Sequence, residues 1–345
     1  MASHQMDAPE AAAVHVLRHG LQTPIKPQLP ALCFHIKPVE DYGSDMVLCV
    51  ESSKPTLAVL GYGIMGAGIA QVCMSAGYSV NLYGRSEKKL LEASAHIRKN
   101  LSKIAAKKRG ELPADNSAVE KVVDVQMDLL QIHTDIESAV EGVAMVIEAV
   151  VEDLETKLEL FETVQKTCPS DCILLTNTSS LRLAAICPVM RDPSLFAGLH
   201  FFSPVPIMKL VEVVSTEQTS QETREALFAF CKDIGKLPVA AKDTPGFIVN
   251  RLLVPYLIDS IRMVERGDAT KEDIDTAMRC GTSYPMGPIE LCDFVGLDTI
   301  QSVVKIFHET IPGDDRFGPC ELLNKLVAEG KLGRKTQQGF YNYKK

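Results

Sequence analysis

No stretch of this chain is long and apolar enough to cross a bilayer. The longest unbroken run, Val143 to Ala149, already contains Glu148 and falls far short of the ~20 residues a spanning helix needs. Excess positive charge is missing too. With 36 Lys and Arg against 44 Asp and Glu, the net charge is -8, which argues against non-specific binding to nucleic acid or an acidic membrane but leaves room for a local basic patch. Metal ligands in pairs are also lacking: of ten cysteines only Cys168 and Cys172 lie close together, and no second close Cys or His pair completes a zinc site. No metal is therefore expected, and the cysteines read as reduced thiols of a soluble intracellular protein, mostly small core residues.

Targeting signals are weak. Residues 1 to about 54 lack periodicity and are interrupted by Pro24, Pro27, Pro30 and Pro38. They hold one Arg, Arg18, beside Asp7, Glu10, Glu40, Asp41 and Asp45, a poor match to an Arg-rich, acid-poor presequence. The tail, Tyr341-Asn-Tyr-Lys-Lys, is not a peroxisomal Ser-Lys-Leu signal. Residues 1–54 are expected to be a poorly structured extension.

From Thr56 the order sharpens. An apolar strand, Thr56 to Leu60, leads through a glycine turn into a helix from about Met65 to Ala76 and a second strand, Ser79 to Tyr83, a beta-alpha-beta unit. A charged helix follows from Glu87 to about Arg109. Val143 to Val150 and Ile173 to Thr176 read as buried parallel strands flanking an amphipathic helix, Leu154 to Thr167. After Pro238 strands give way to helices: Thr244 as N-cap with Pro245 in the first turn, a stop at Gly267, a capping-box-like start at Thr270 and Asp273, and helices over Pro288 to Phe294, Asp298 to His308 and Cys320 to Glu329. The expected fold is an α/β Rossmann-like N-terminal domain, residues 55–242, followed by an all-α C-terminal domain, residues 243–345.

The turn after the first strand is Gly61-x-Gly63-x-x-Gly66. Gly61 suits the tight turn, Gly63 lets backbone approach a pyrophosphate, and Gly66 lets helix and strand pack closely. The helix N-terminus offers unpaired N–H groups to phosphate. A dinucleotide is the expected ligand, with Gly61, Gly63, Ile64, Met65 and Gly66 as its contacts. Downstream, His200 closes an apolar strand and Glu212 sits inside another. A structural His-carboxylate pair across neighbouring strands explains them as well as catalysis does on composition alone. The dinucleotide turn tips the balance, because a hydride acceptor needs a partner base for the alcohol proton and imidazole suits that task near neutral pH. Glu212 would then orient His200 and stabilise the imidazolium.

From about Thr56 to Lys345 the chain closely resembles the short, single-function L-3-hydroxyacyl-CoA dehydrogenases of fatty-acid beta-oxidation. The resemblance rests on Gly61-Tyr-Gly63-Ile-Met-Gly66-Ala-Gly68-Ile-Ala-Gln, Thr176-Asn-Thr-Ser179-Ser, His200-Phe-Phe-Ser-Pro with Leu-Val-Glu212-Val, Asp243-Thr-Pro-Gly-Phe-Ile-Val-Asn250-Arg, Tyr284-Pro-Met-Gly-Pro and Phe294-Val-Gly-Leu-Asp298. It implies a helical dimerisation and substrate domain, an active site in the cleft between the domains, a homodimer and a mitochondrial-matrix address, with the cytoplasm as alternative. His200 would be the catalytic base and Glu212 its partner. Ser179 and Asn250 would hold the 3-oxygen and thioester region of an acyl-CoA. Glu152, Lys157, Ser179 and Ser203 would contact the cofactor, and Lys107, in the basic helix, would meet the CoA phosphates.

Three positions depart from that pattern. Ser203 replaces an Asn, and Asn100 stands where a serine commonly meets CoA. Gly84 stands where a ribose-binding Asp is usual, and it is followed by Arg85 and Ser86, as in NADP-dependent relatives. Arg85 is thus a candidate cofactor contact. NAD is taken ahead of NADP, because one Arg is not a phosphate site. Alternatives are an NADP-preferring reductase of 3-oxoacyl-CoA, a hydroxy-acid dehydrogenase of the lambda-crystallin type, and a non-catalytic dinucleotide-binding protein.

Overall fold

Apolar segments with strand-like length alternate with amphipathic ones, and the chain folds accordingly. The computed structural model describes residues 54–109 and 116–344; the expected extension, apart from Lys54, lies outside them. In chain order the first part runs β1 (Leu57–Leu60), α1 (Ile64–Ser75), β2 (Val80–Tyr83), α2 (Glu87–Arg109), α3 (Asn116–Met127), β3 (Leu130–His133), α4 (Ile136–Val140), β4 (Met145–Glu148), α5 (Leu154–Thr167), β5 (Ile173–Thr176), α6 (Leu183–Ile186), β6 (Phe196–Phe201), β7 (Leu210–Ser215), α7 (Gln221–Asp233) and β8 (Leu237–Lys242). Helices follow: α8 (Val249–Arg266), α9 (Lys271–Thr282), α10 (Pro288–Val295), α11 (Leu297–Thr310) and α12 (Glu321–Ala328). This is a Rossmann-like domain followed by a helical one, as expected.

Eight strands form one sheet in the order β3-β2-β1-β4-β5-β6-β7-β8. All neighbours are parallel except β6 and β7. The chain direction across the sheet reverses between β1 and β4, which puts a crevice at their carboxyl ends, the usual ligand position in such sheets. The pleat divides each strand between two cores. Leu57 and Val59 pack with α1, α2 and α7 on one face, while Ala58 and Leu60 pack with α4, α5 and α6 on the other. A third cluster fills the helical domain around Ile258, Ile289, Phe307 and Phe317. Among the described residues no helix is long and apolar enough to cross a membrane.

Three local expectations are corrected. Strands do not end at Pro238: β8 continues to Lys242, with Pro238 opposite Val211 on the sheet edge, where a proline's missing N–H costs no ladder bond. Thr244 and Pro245 do not start the next helix, which begins at Val249. Asp243 instead accepts N–H bonds from Leu183 and Ala184, 2.8 and 2.9 Å, at the start of α6. Finally, Lys54, assigned to the extension, is buried, pairs with Asp233 at 2.5 Å and lies over the Tyr78 ring. The starts at Glu87 and Thr270 and the stop at Gly267, whose φ is 73°, agree with their local signals.

Candidate active site

The glycine turn lies at the crevice between β1 and β4. Gly61 has a φ of 120°, and a β-carbon there would come within 2.3 Å of the Ala149 carbonyl oxygen. One on Gly66 would come within 1.8 Å of the Gly61 oxygen. Both positions are therefore closed to any side chain. Around Gly63 there is open space, and as N-cap of α1 it brings no side chain to satisfy the first-turn N–H groups, nor does an acidic residue stand there. Unpaired donors, the positive end of a helix and a bare approach make an anion cradle. The residues present thus fit the pyrophosphate of a dinucleotide. Of the two residues after Gly63, Ile64 is 81% exposed and Met65 lines the adjoining cavity.

That cavity has a volume of about 280 Å³ and is bounded by β4, β5 and β6, the start of α1 and the start of α8. His200, at the end of β6, is in direct register with Glu212 of the antiparallel β7. Its Nδ1 lies 2.7 Å from Glu212 Oε2. The carboxylate is fully buried, and its other oxygen accepts the backbone N–H groups of Ile248 and Val249 at 3.1 and 2.9 Å. Glu212 thus orients the imidazole and also caps α8, the task that sequence spacing assigned to Thr244. Phe202 and Phe247 flank the ring with centroids 4.5 and 5.5 Å away. Phe247 holds a φ of 49°, unusual for a bulky residue. With Nδ1 engaged, Nε2 is the nitrogen left for chemistry in the cavity.

A second polar cluster reaches the same cavity through Glu152 and Lys157. Lys157, fully buried on α5, sits 2.6 Å from Glu148 Oε1 at the end of β4 and 3.3 Å from Glu152 Oε2. Glu148 also accepts the Thr176 hydroxyl at 2.7 Å and the Val150 N–H at 2.8 Å. Glu152 Oε1 gathers the Thr178 and Ser180 hydroxyls at 2.6 and 2.8 Å and the N–H groups of Ser179 and Ser180 at 2.9 and 3.0 Å. Burial works against charge on Glu152, but Lys157 and these donors outweigh it and hold the carboxyl down at about 2. A carboxyl depressed in the folded state stabilises the fold above its unfolded value near 4.5, and loses that contribution as pH falls towards 2. Urea midpoints are accordingly expected to fall between those values, and by less in Glu152→Gln; equal slopes in the two proteins would contradict it.

Ser179, Ser203 and Asn250 line the same cavity as His200, Glu152 and Lys157. Asn177, which also lines it, turns inward to accept the Phe201 N–H at 2.9 Å. Its role and that of Glu148 escape spacing rules, although the lone acid in an apolar strand was a usable signal for Glu148. Two predicted residues stand apart. Arg85 is exposed at the end of β2, and Lys107 is exposed near the end of α2; neither lines the cavity. Asn100 reaches Gln71 at 3.4 Å.

Residues 56–244 match the family model for the NAD binding domain of 3-hydroxyacyl-CoA dehydrogenase, and residues 246–343 match that for its C-terminal domain. Hydroxyacyl-coenzyme A dehydrogenase, mitochondrial, of Rattus norvegicus is 50% identical over 288 residues, 84% of this chain and 91% of the relative. The 3-hydroxybutyryl-CoA dehydrogenase of Clostridioides difficile is 38% identical over 84% of this chain and 99% of its own. Among solved structures, (S)-3-hydroxybutyryl-CoA dehydrogenase PaaH1 from Ralstonia eutropha superposes with a TM-score of 0.78 at 32% identity, covering 84% of this chain and 99% of that one. With both domain models matched in order along a fold that carries a glycine cradle beside a His-Glu pair, the chain belongs to the 3-hydroxyacyl-CoA dehydrogenase family.

Proposed function

We propose that the chain oxidises L-3-hydroxyacyl-CoA to 3-oxoacyl-CoA, passing hydride to NAD, in fatty-acid beta-oxidation. The observation that carries this reading is the His200-Glu212 pair in the wall of a cavity whose rim includes Met65 of the glycine-turn helix. When bound, the nicotinamide supplies the hydride acceptor. The remaining work is done by the chain's own side chains. His200 Nε2 takes the 3-hydroxyl proton as the C3–H bond gives up its hydride, so a hydroxyl becomes a carbonyl and one proton is left on the imidazole. Glu212 keeps the proton of the neutral ring on Nδ1, and its charge stabilises the imidazolium that forms. Ser179 and Asn250 hold the 3-oxygen and thioester region, and Glu152 and Lys157 keep the Ser179 loop in place. Lys107, with Lys103 exposed on the same helix, draws in the CoA phosphates.

The test is direct. Purified full chain mixed with acetoacetyl-CoA and NADH is expected to consume reduced-cofactor absorbance; no turnover across a broad substrate and cofactor range would sink the reading. Homodimer assembly fits the exposed Leu252, Tyr284 and Phe294 of the helical domain, side chains that need cover; a monomer mass in sedimentation equilibrium would remove it. A mitochondrial address fits the similarity to the mitochondrial rat enzyme, and fractionation of cells expressing the full chain tests it against the cytoplasm.

A further inference from the structure

Gly84, directly after β2, occupies the place from which a carboxylate ordinarily holds the adenosine ribose. Its backbone is not the reason it is glycine, for its φ lies outside the left-handed region. The obstacle is Tyr62, the residue between the first two glycines of the turn. A β-carbon on Gly84 would stand 1.9 Å from Tyr62 Cδ1 and 2.4 Å from Cε1, against ordinary carbon contacts of about 3.5–4 Å. A side chain at position 84 therefore requires the ring to shift from where it packs, half-buried, against the core on the α1 face of the sheet, with Lys89 over it, 5.9 Å from the ring centroid.

We propose that Tyr62 is a specificity-determining residue for the cofactor: its ring excludes any side chain at position 84, so no carboxylate stands directly after β2 and NAD and NADP are held with similar affinity. The proposal rests on the dinucleotide-dependent activity given above. The segment that follows sets the exposed Arg85 guanidinium, Ser86 and the N-terminus of α2 against one carboxylate, the exposed Glu87 of its first turn, so charge there discriminates weakly between a bare ribose and a 2′-phosphate. A guanidinium and a helix N-terminus accept a 2′-phosphate, whereas a carboxylate repels it. Gly84 and Tyr62 are therefore a coupled pair, and changing one alone cannot install an NAD-type site.

A double-mutant cycle tests this on the full chain: wild type, Gly84→Asp, Tyr62→Ala and the pair, with dissociation constants for NADH and NADPH read from cofactor fluorescence and melting curves checking the fold. In the wild type the two constants are expected to agree within about tenfold. Tyr62→Ala leaves that ratio unchanged. Gly84→Asp alone weakens both cofactors by about tenfold or more, since ring and carboxylate contest one place. The pair regains NADH binding and rejects NADPH by about 100-fold, the scale of like charges in contact. Two outcomes overturn the inference: wild type that already separates the cofactors by about 100-fold, or Gly84→Asp alone reaching the selectivity of the pair. Failure of every variant to bind either dinucleotide, with melting curves intact, would instead strike the underlying dinucleotide reading.

Discussion

His200→Gln is expected to lower turnover of acetoacetyl-CoA by about 10²–10⁴, the range for loss of a positioned general acid-base, while NADH affinity stays within a few-fold of wild type. In the reverse direction used for assay, the same imidazole donates the proton that the product hydroxyl requires. An amide retains polarity and much of the shape but neither takes nor gives a proton near neutral pH. The surroundings limit collateral damage. Glu212 keeps its bonds from the Ile248 and Val249 N–H groups, and Phe202 and Phe247 still enclose the position. Reading kcat and the cofactor constant on the same preparation separates chemistry from folding. Turnover within a few-fold of wild type would remove His200 from the mechanism and return the pair to the structural role that composition alone allowed.

The second large effect falls on stability. Lys157→Met should destabilise the fold by about 3–5 kcal/mol, the cost of removing one member of a buried ion pair. Lys157 and Glu148 are both buried to within 1% of completely, so the carboxylate left behind has no water to replace the 2.6 Å ammonium contact. Its remaining donors, the Thr176 hydroxyl and the Val150 N–H, are too few to compensate an ion at that depth. The loss reaches the cavity through Glu152, which anchors the Ser179 and Ser180 segment. A lower urea midpoint at unchanged slope, accompanied by weaker NADH binding, is the expected signature. A change below about 1 kcal/mol would show that the cluster is not a unit of stability.

Both experiments bear on residues that were legible to different degrees. His200 and Glu212 stood out because an ionisable group inside an apolar strand is costly unless paired, and the antiparallel register of β6 and β7 brings these two face to face. The glycine turn was equally plain, since each glycine answers a local steric demand. The 14-residue helix α5, predicted over Leu154 to Thr167 and found there, had both an amphipathic period and Asp153 as its cap. By contrast β3, with only intermediate and exposed positions, and the five-residue α4 are too short or too polar to carry a period of their own.

What the sequence determined by itself is the order of the longer apolar and amphipathic elements, the dinucleotide turn and the identity of the residues able to carry acid-base chemistry, because these depend on composition and spacing within a few residues. Tertiary structure decided the partners. Glu212 caps a helix 36 and 37 residues away, Asp243 caps one 60 residues back, and Glu152 gathers donors 26 to 28 residues further on. The Tyr62 ring, in the turn after β1, closes the space beside Gly84, which follows the parallel neighbour β2. Such contacts follow from strand order and register, which bring distant segments to one end of the sheet, and no local periodicity encodes which of them will meet there.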